Sequence, residues 1–140
     1  MTAATAGRQD MRSIADHHTF IGKSAESFYA GTMASHLTST GHVQNATDAT
    51  GATFTGVVRS DATGDATTRN VDVFDKGTFE FAFSGTAVIT GEQFKAYIVD
   101  NQTVGLAATT TNDIACGVIV EFVSASVVRV KIDGYAMAGA

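Results

Sequence analysis

The stretch Thr78–Ser84 constrains this chain more than any other. Phe79, Phe81 and Phe83 alternate with Thr78, Glu80, Ala82 and Ser84. A period of two puts three rings on one face of a β-strand, whereas a helix would scatter them around its axis. Rings stacked in this way are read as core rather than as a ligand platform, because aromatic side chains dominate core burial. Just upstream, Val71, Val73 and Phe74 run into Asp75-Lys76-Gly77, a tight-turn signature. Residues 71–74 and 78–83 are therefore expected to pair as a β-hairpin.

The same grammar recurs along the chain. Val127, Val128, Val130 and Ile132 enclose Arg129 and Lys131, and Ser124-Ala125-Ser126 turns back to an apolar strand over 116–123. Phe94, Ala96, Ile98 and Val99 form another strand that ends at Asp100-Asn101, with Thr103–Leu106 starting the next. Phe28–Met33 and Thr53–Val58 are earlier apolar stretches. Thr38–Gly51, Ser60–Asn70 and Ala107–Asp113 are polar and rich in turn formers, hence connections. No repeat at solenoid or propeller periods is present.

Composition points the same way. Charged residues make up 16% of the chain, against roughly 25% in a typical soluble domain. Thr, Ser, Asn and Gly finish the surface instead, and β-branched Thr suits a pleated surface better than a helix interior. With 140 residues, one domain with one core is expected. The fold class is all-β with little helix, a compact sandwich or barrel-like domain over residues 28–134. Residues 135–140 form a short small-residue tail.

Residues 1–27 differ from the rest. Arg8, Arg12 and Lys23 are the only basic residues before Arg59, and Met11, Ile14, Phe20 and Ile21 are the main apolar ones between Arg8 and Ser27. Such a segment cannot offset its own ordering entropy. It reads as an extended, partly flexible N-terminal arm, or as an edge strand that needs a partner. The chain has no proline, a residue that often blunts exposed edges. Its absence fits edges that are meant to be covered.

Several function classes fall away. The net charge is −5 and no run of Lys or Arg exists, so the basic stripe of a nucleic-acid binder is missing. No segment approaches the ~20 apolar residues of a membrane helix, and the N-terminus lacks the apolar region of a secretion signal. A soluble protein made in a cytoplasm is expected, with Asn45-Ala46-Thr47 and Asn101-Gln102-Thr103 as chance glycosylation triplets. Cys116, the single cysteine, sits in an apolar run and is read as a buried small hydrophobe.

The catalytic and metal motifs fail on spacing. Gly22-Lys23-Ser24 ends like a phosphate loop, but His17 stands where that loop needs its first Gly. Asp16-His17-His18 matches a three-letter phosphoesterase signature without the further motifs of that family. His17, His18, His36 and His42 are read as solvent-exposed rather than as metal ligands, which come in sets of three or four. Asp61 and Asp65 flank Gly64 without EF-hand spacing. Asp48, Asp72, Asp75, Glu80, Asp100, Asp113 and Glu121 are scattered, and most are read as solvated strand-end carboxylates. No catalytic, cofactor or metal residues are assigned, and the chain is read as non-enzymatic.

The order of these segments resembles the tailed-phage capsid decoration family, also called head cement or head stabilisation proteins. The resemblance rests on Tyr29-Ala30-Gly31, Phe54-Thr55-Gly56-Val57, Val71-Asp72-Val73 and Gly77-Thr78-Phe79-Glu80-Phe81. It continues through Ile89-Thr90-Gly91, Val99-Asp100-Asn101-Gln102-Thr103-Val104, and the strands 114–121 and 127–132. It covers roughly three quarters of the chain and leaves out Arg8–Ser27.

The resemblance implies a homotrimer bound to the major capsid protein on the outer surface of an expanded head, holding capsomers against internal pressure. The arm would then order on the capsid, with Arg8, Arg12, Ile14, Phe20 and Ile21 as contact residues. The alternatives are a virion adhesion or carbohydrate-binding β-module, disfavoured by the absence of Trp and the presence of only three Tyr, and another head or tail structural subunit. A small β-barrel hydrolase or isomerase is disfavoured by the lack of an acid–base cluster.

Overall fold

Alternating, β-branched segments with hydroxyl-rich connections leave the backbone one economical way to satisfy its hydrogen bonds, which is between strands. The computed structural model describes residues 17–85, 90 and 92–133. The fold is all-β, and a 3-10 turn at Ala107–Thr109 is the one helical element of more than one residue among the described residues.

The first half supplies β1 (His17–Ile21), β2 (Ser27–Phe28), β3 (Met33–Leu37), β4 (Val43–Asn45), β5 (Ala52–Val58), β6 (Ala62–Thr63) and β7 (Arg69–Phe74). Five of these form an antiparallel sheet in the order β1-β7-β5-β3-β4, and β2 pairs with β6. The second half supplies β8 (Lys76–Phe83), β9 (Lys95–Asp100), β10 (Thr103–Gly105), β11 (Ala115–Ser124) and β12 (Val127–Asp133). These close into a barrel in the order β10-β8-β12-β11-β9.

The expected hairpin between 71–74 and 78–83 does not form. β7 pairs with β1 and β5, whereas β8 pairs with β12 and β10. Asp75 alone separates the two strands, so the chain crosses there from sheet to barrel. One residue cannot make the two-residue turn a tight hairpin needs, and both edges of each strand are taken by partners distant in sequence. The hairpin expected at 124–126 does form, with Val118 opposite Lys131 and Phe122 opposite Val128.

Two hydrophobic clusters replace the single expected core. The larger fills the barrel and continues onto the sheet, joining Phe81, Ile98, Ile119, Val128, Val130 and Ile132 to Met33, Phe54 and Val57. Phe79 and Phe83 pack against it half-buried, so the Phe ladder is core. Arg129 and Lys131 stay exposed between Val128, Val130 and Ile132, as the alternation requires. The smaller cluster lies on the other side of the sheet and joins Phe28, Ala34, Val43, Val58, Val71 and Val73, with Phe20 against it.

β5 is the central strand of the sheet and is buried on both faces. Gly56 is required there, because a Cβ at this position would overlap the carbonyl oxygen of Phe74. Polar contacts complete the join between sheet and barrel. Asn101, at the tip between β9 and β10, accepts the Met33 N–H through its carbonyl (2.7 Å) and donates its side-chain amide to Asn45 Oδ1 (3.2 Å).

Candidate functional site

The residues expected to contact a partner divide into two groups. Arg8, Arg12 and Ile14 lie outside the described residues. Phe20 and Ile21 lie on β1, which among the described residues is an edge strand of the sheet. β1 runs antiparallel to β7, with His17 opposite Phe74, His18 opposite Val73 and Phe20 opposite Val71. Among the described residues its other edge carries no ladder. The far edge of the sheet is dressed differently. Gly22 bridges to Val43 of β4, the Lys23 N–H reaches Val43 O (2.8 Å), and Glu26 Oε2 accepts the Asn45 N–H (2.8 Å).

Two adjacent histidines hold β1 down. Successive residues of a strand face opposite sides, and each histidine meets its own carboxylate. His17 Nδ1 lies 3.0 Å from Asp72 Oδ1, and His18 Nδ1 lies 2.8 Å from Asp75 Oδ2. Asp72 also receives Arg59 Nη1 at 3.0 Å. The Arg59 guanidinium stands 5.9 Å from the centre of the Phe74 ring, which His17 meets edge-on at 6.4 Å. Phe74 in turn packs on Phe79 at 5.8 Å, which ties the β1 region to the barrel.

Asp75 is buried, with 4% of its surface exposed. A buried carboxylate is costly unless partnered, so the His18 contact couples the placement of β1 to the crossing point. All four histidines are half-buried rather than exposed, and Asp72 and Asp75 are paired groups rather than solvated strand ends.

The other polar groups brace loops. Asp61 Oδ1 accepts the Ala30 N–H (2.8 Å). Asp65 Oδ1 accepts the N–H groups of Thr68 (2.7 Å) and Thr67 (2.9 Å), which hold its carboxyl down at about 2. Asp48 accepts the N–H of Thr111 through Oδ2 (2.8 Å) and that of Asn112 through Oδ1 (2.9 Å). The Thr111 bond is the main reason its carboxyl sits below the ordinary Asp value. Asn112 Nδ2 also donates to Asp48 O and Oδ1, and Asn112 Oδ1 accepts from Thr50 (3.0 Å). This joint fastens the loop before β5 to the loop before β11. Cys116 is fully buried, with Sγ 3.5 Å from Ala96 O, and burial pushes its thiol up to about 12.

Sequence reasoning missed a groove on the outside of the barrel. Lys95 and Tyr97 face outward from β9, alternating with the buried Ala96 and Ile98. A cavity of about 260 Å³ opens on one side of them, lined also by Thr53, Asn112 and Asp113. A shallower one of about 510 Å³ opens on the other side, lined also by Gln93, Phe94 and Leu106. Phe94 was expected within a strand, yet it precedes β9 and is 53% exposed.

Among the described residues no group of three or more His, Cys, Asp or Glu is arranged to hold a metal, and no helix is long and apolar enough to cross a membrane. Compared with known protein families, curated proteins and solved structures, the chain finds no match.

Proposed function

We propose that this chain is a non-enzymatic structural virion protein that binds the outer surface of a tailed-phage capsid as a trimer and stabilises the expanded head. The observation that supports this reading best is the edge strand β1. It is fastened by two His–Asp pairs, one to Asp72 of β7 and one to Asp75 at the crossing point, yet its second edge has no ladder among the described residues. An edge of this kind offers backbone donors and acceptors to a strand of another chain. Residues 1–16, with Arg8, Arg12 and Ile14, lead directly into it. The partner in this reading, the major capsid protein, is what the resemblance of the segment order to the decoration family implies.

A stabilising clamp works through surface and valency rather than a reactive centre. Many copies, each bound modestly, sum to a large effect on a closed shell. The test is direct. Purified protein is sized by light scattering and then mixed with expanded, undecorated phage heads. A trimer of about three times 14.5 kDa that loads the heads and raises their heat resistance is the expected result, and deletion of residues 1–16 should abolish loading. Heads that take up no protein at saturating concentration would overturn the proposal.

A further inference from the structure

We infer that the groove along the outer face of β9 is a binding site for a short, neutral oligosaccharide. The inference is independent of the capsid reading, since it concerns the barrel rather than β1. Lys95 and Tyr97 line both cavities, which open on either side of that pair of side chains. The larger, of about 510 Å³, falls within the ~300–1,000 Å³ span of small-molecule sites, and the smaller, of about 260 Å³, adjoins it across Lys95 and Tyr97.

The lining changes character along its length. One half presents the exposed ring of Phe94 beside Leu106, and Tyr97 stands at the centre. The other half presents Thr53, Asn112 and Asp113. A pyranose has the same division, with apolar C–H faces that lie against aromatic rings and a rim of hydroxyls that both donate and accept. Asp113 uses Oδ1 to accept the Thr110 hydroxyl (2.6 Å), and Oδ2 remains as an acceptor. Lys95 supplies a donor, and its charge offsets that of Asp113, so the lining suits an uncharged ligand.

Backbone strain marks the same place. Four non-glycine residues among those described have positive φ, and two of them, Gln93 (φ 75°) and Asp113 (φ 50°), stand at opposite ends of the groove. A left-handed conformation costs a residue with a Cβ and is concentrated at functional sites. Gln93 is held there by its N–H donating to Ile119 O (2.7 Å). Asp113 is followed by the buried Ile114 and the start of β11.

The experiment is chemical-shift mapping on the ¹⁵N-labelled full chain, titrated with maltotriose, cellotriose and chitotriose to millimolar concentrations. Saturable shifts at Gln93–Tyr97 and at Asn112–Asp113 with at least one sugar are expected. The exposed-site variants Phe94→Ser and Asp113→Asn, with the dispersed spectrum intact, should each weaken that binding about tenfold or more. No shift at these residues from any of the three sugars would overturn the inference, as would shifts of unchanged size in both variants. Shifts at the groove that follow protein concentration without sugar would also overturn it, because they would assign the face to a second copy of the chain.

Discussion

Asp48→Ala tests the joint between sheet and barrel. The carboxylate accepts two backbone N–H groups, from Thr111 and Asn112, on separate oxygens at 2.8 and 2.9 Å. A hydrogen bond to a charged group contributes ~1.5–3 kcal/mol when well shielded. Asp48 is only half-buried, so water competes for both donors and each bond contributes less than that range, about 0.5–1 kcal/mol. The expected loss is about 1–2 kcal/mol, similar to removal of a helix N-cap. For a chain of this size that lowers Tm by about 3–6 °C.

Thermal and denaturant unfolding followed by circular dichroism measure the loss. Asn112→Ala removes the other half of the joint, since Asn112 Nδ2 also donates to Asp48 and its Oδ1 accepts from Thr50. The two substitutions should therefore be non-additive, with a coupling of at least ~0.5 kcal/mol. A loss for Asp48→Ala within the ~0.5 kcal/mol of an ordinary surface change, or strict additivity in the double variant, would refute the account of this contact as one network.

Three further outcomes follow from the packing and the titrating groups. Gly56→Ala should cost about 1–3 kcal/mol, the usual range for overpacking, because the new Cβ meets the rigid backbone carbonyl of Phe74; unchanged urea unfolding would contradict this. Cys116, buried and with its thiol pushed up to about 12, should resist alkylation in the native state and react only on unfolding, since the thiolate is the reactive form. Asp65 titrates at about 2 in the fold against 3.8 ordinarily. Its contribution is complete above about pH 4 and is lost as pH falls through about 2. Asp65→Asn should flatten the acid limb of a stability–pH curve, and an unaltered limb would count against the Thr67 and Thr68 hydrogen bonds as its cause.

What was legible in the sequence was local. Alternation at 127–132 placed Val128, Val130 and Ile132 inside and Arg129 and Lys131 outside, because strand geometry alone sets which residues share a face. The turn at 124–126 and the burial of Cys116 followed from the same kind of reading. The candidate site was legible only in part. Phe20 and Ile21 stood out as apolar residues in a polar stretch, and an edge strand was one of two readings for them. The exposure of Phe94 and the left-handed Gln93 carry no local signature, so the β9 groove could not be anticipated.

The sequence by itself determined that this chain folds as strands, which of their faces turn inward, and that its only thiol lies in apolar surroundings. The tertiary structure alone decided which strands meet. Phe74 and Lys76 are two residues apart, yet one belongs to the sheet and the other to the barrel. His17 and Asp72 are 55 positions apart, yet their side chains touch. Pairing depends on which distant edges are still open when a strand arrives, and on whether a buried group such as Asp75 finds a partner there. Neither is a property of the residues nearby in sequence, so the crossing at Asp75, the His–Asp pairs on β1 and the division into two cores belong to the folded chain alone.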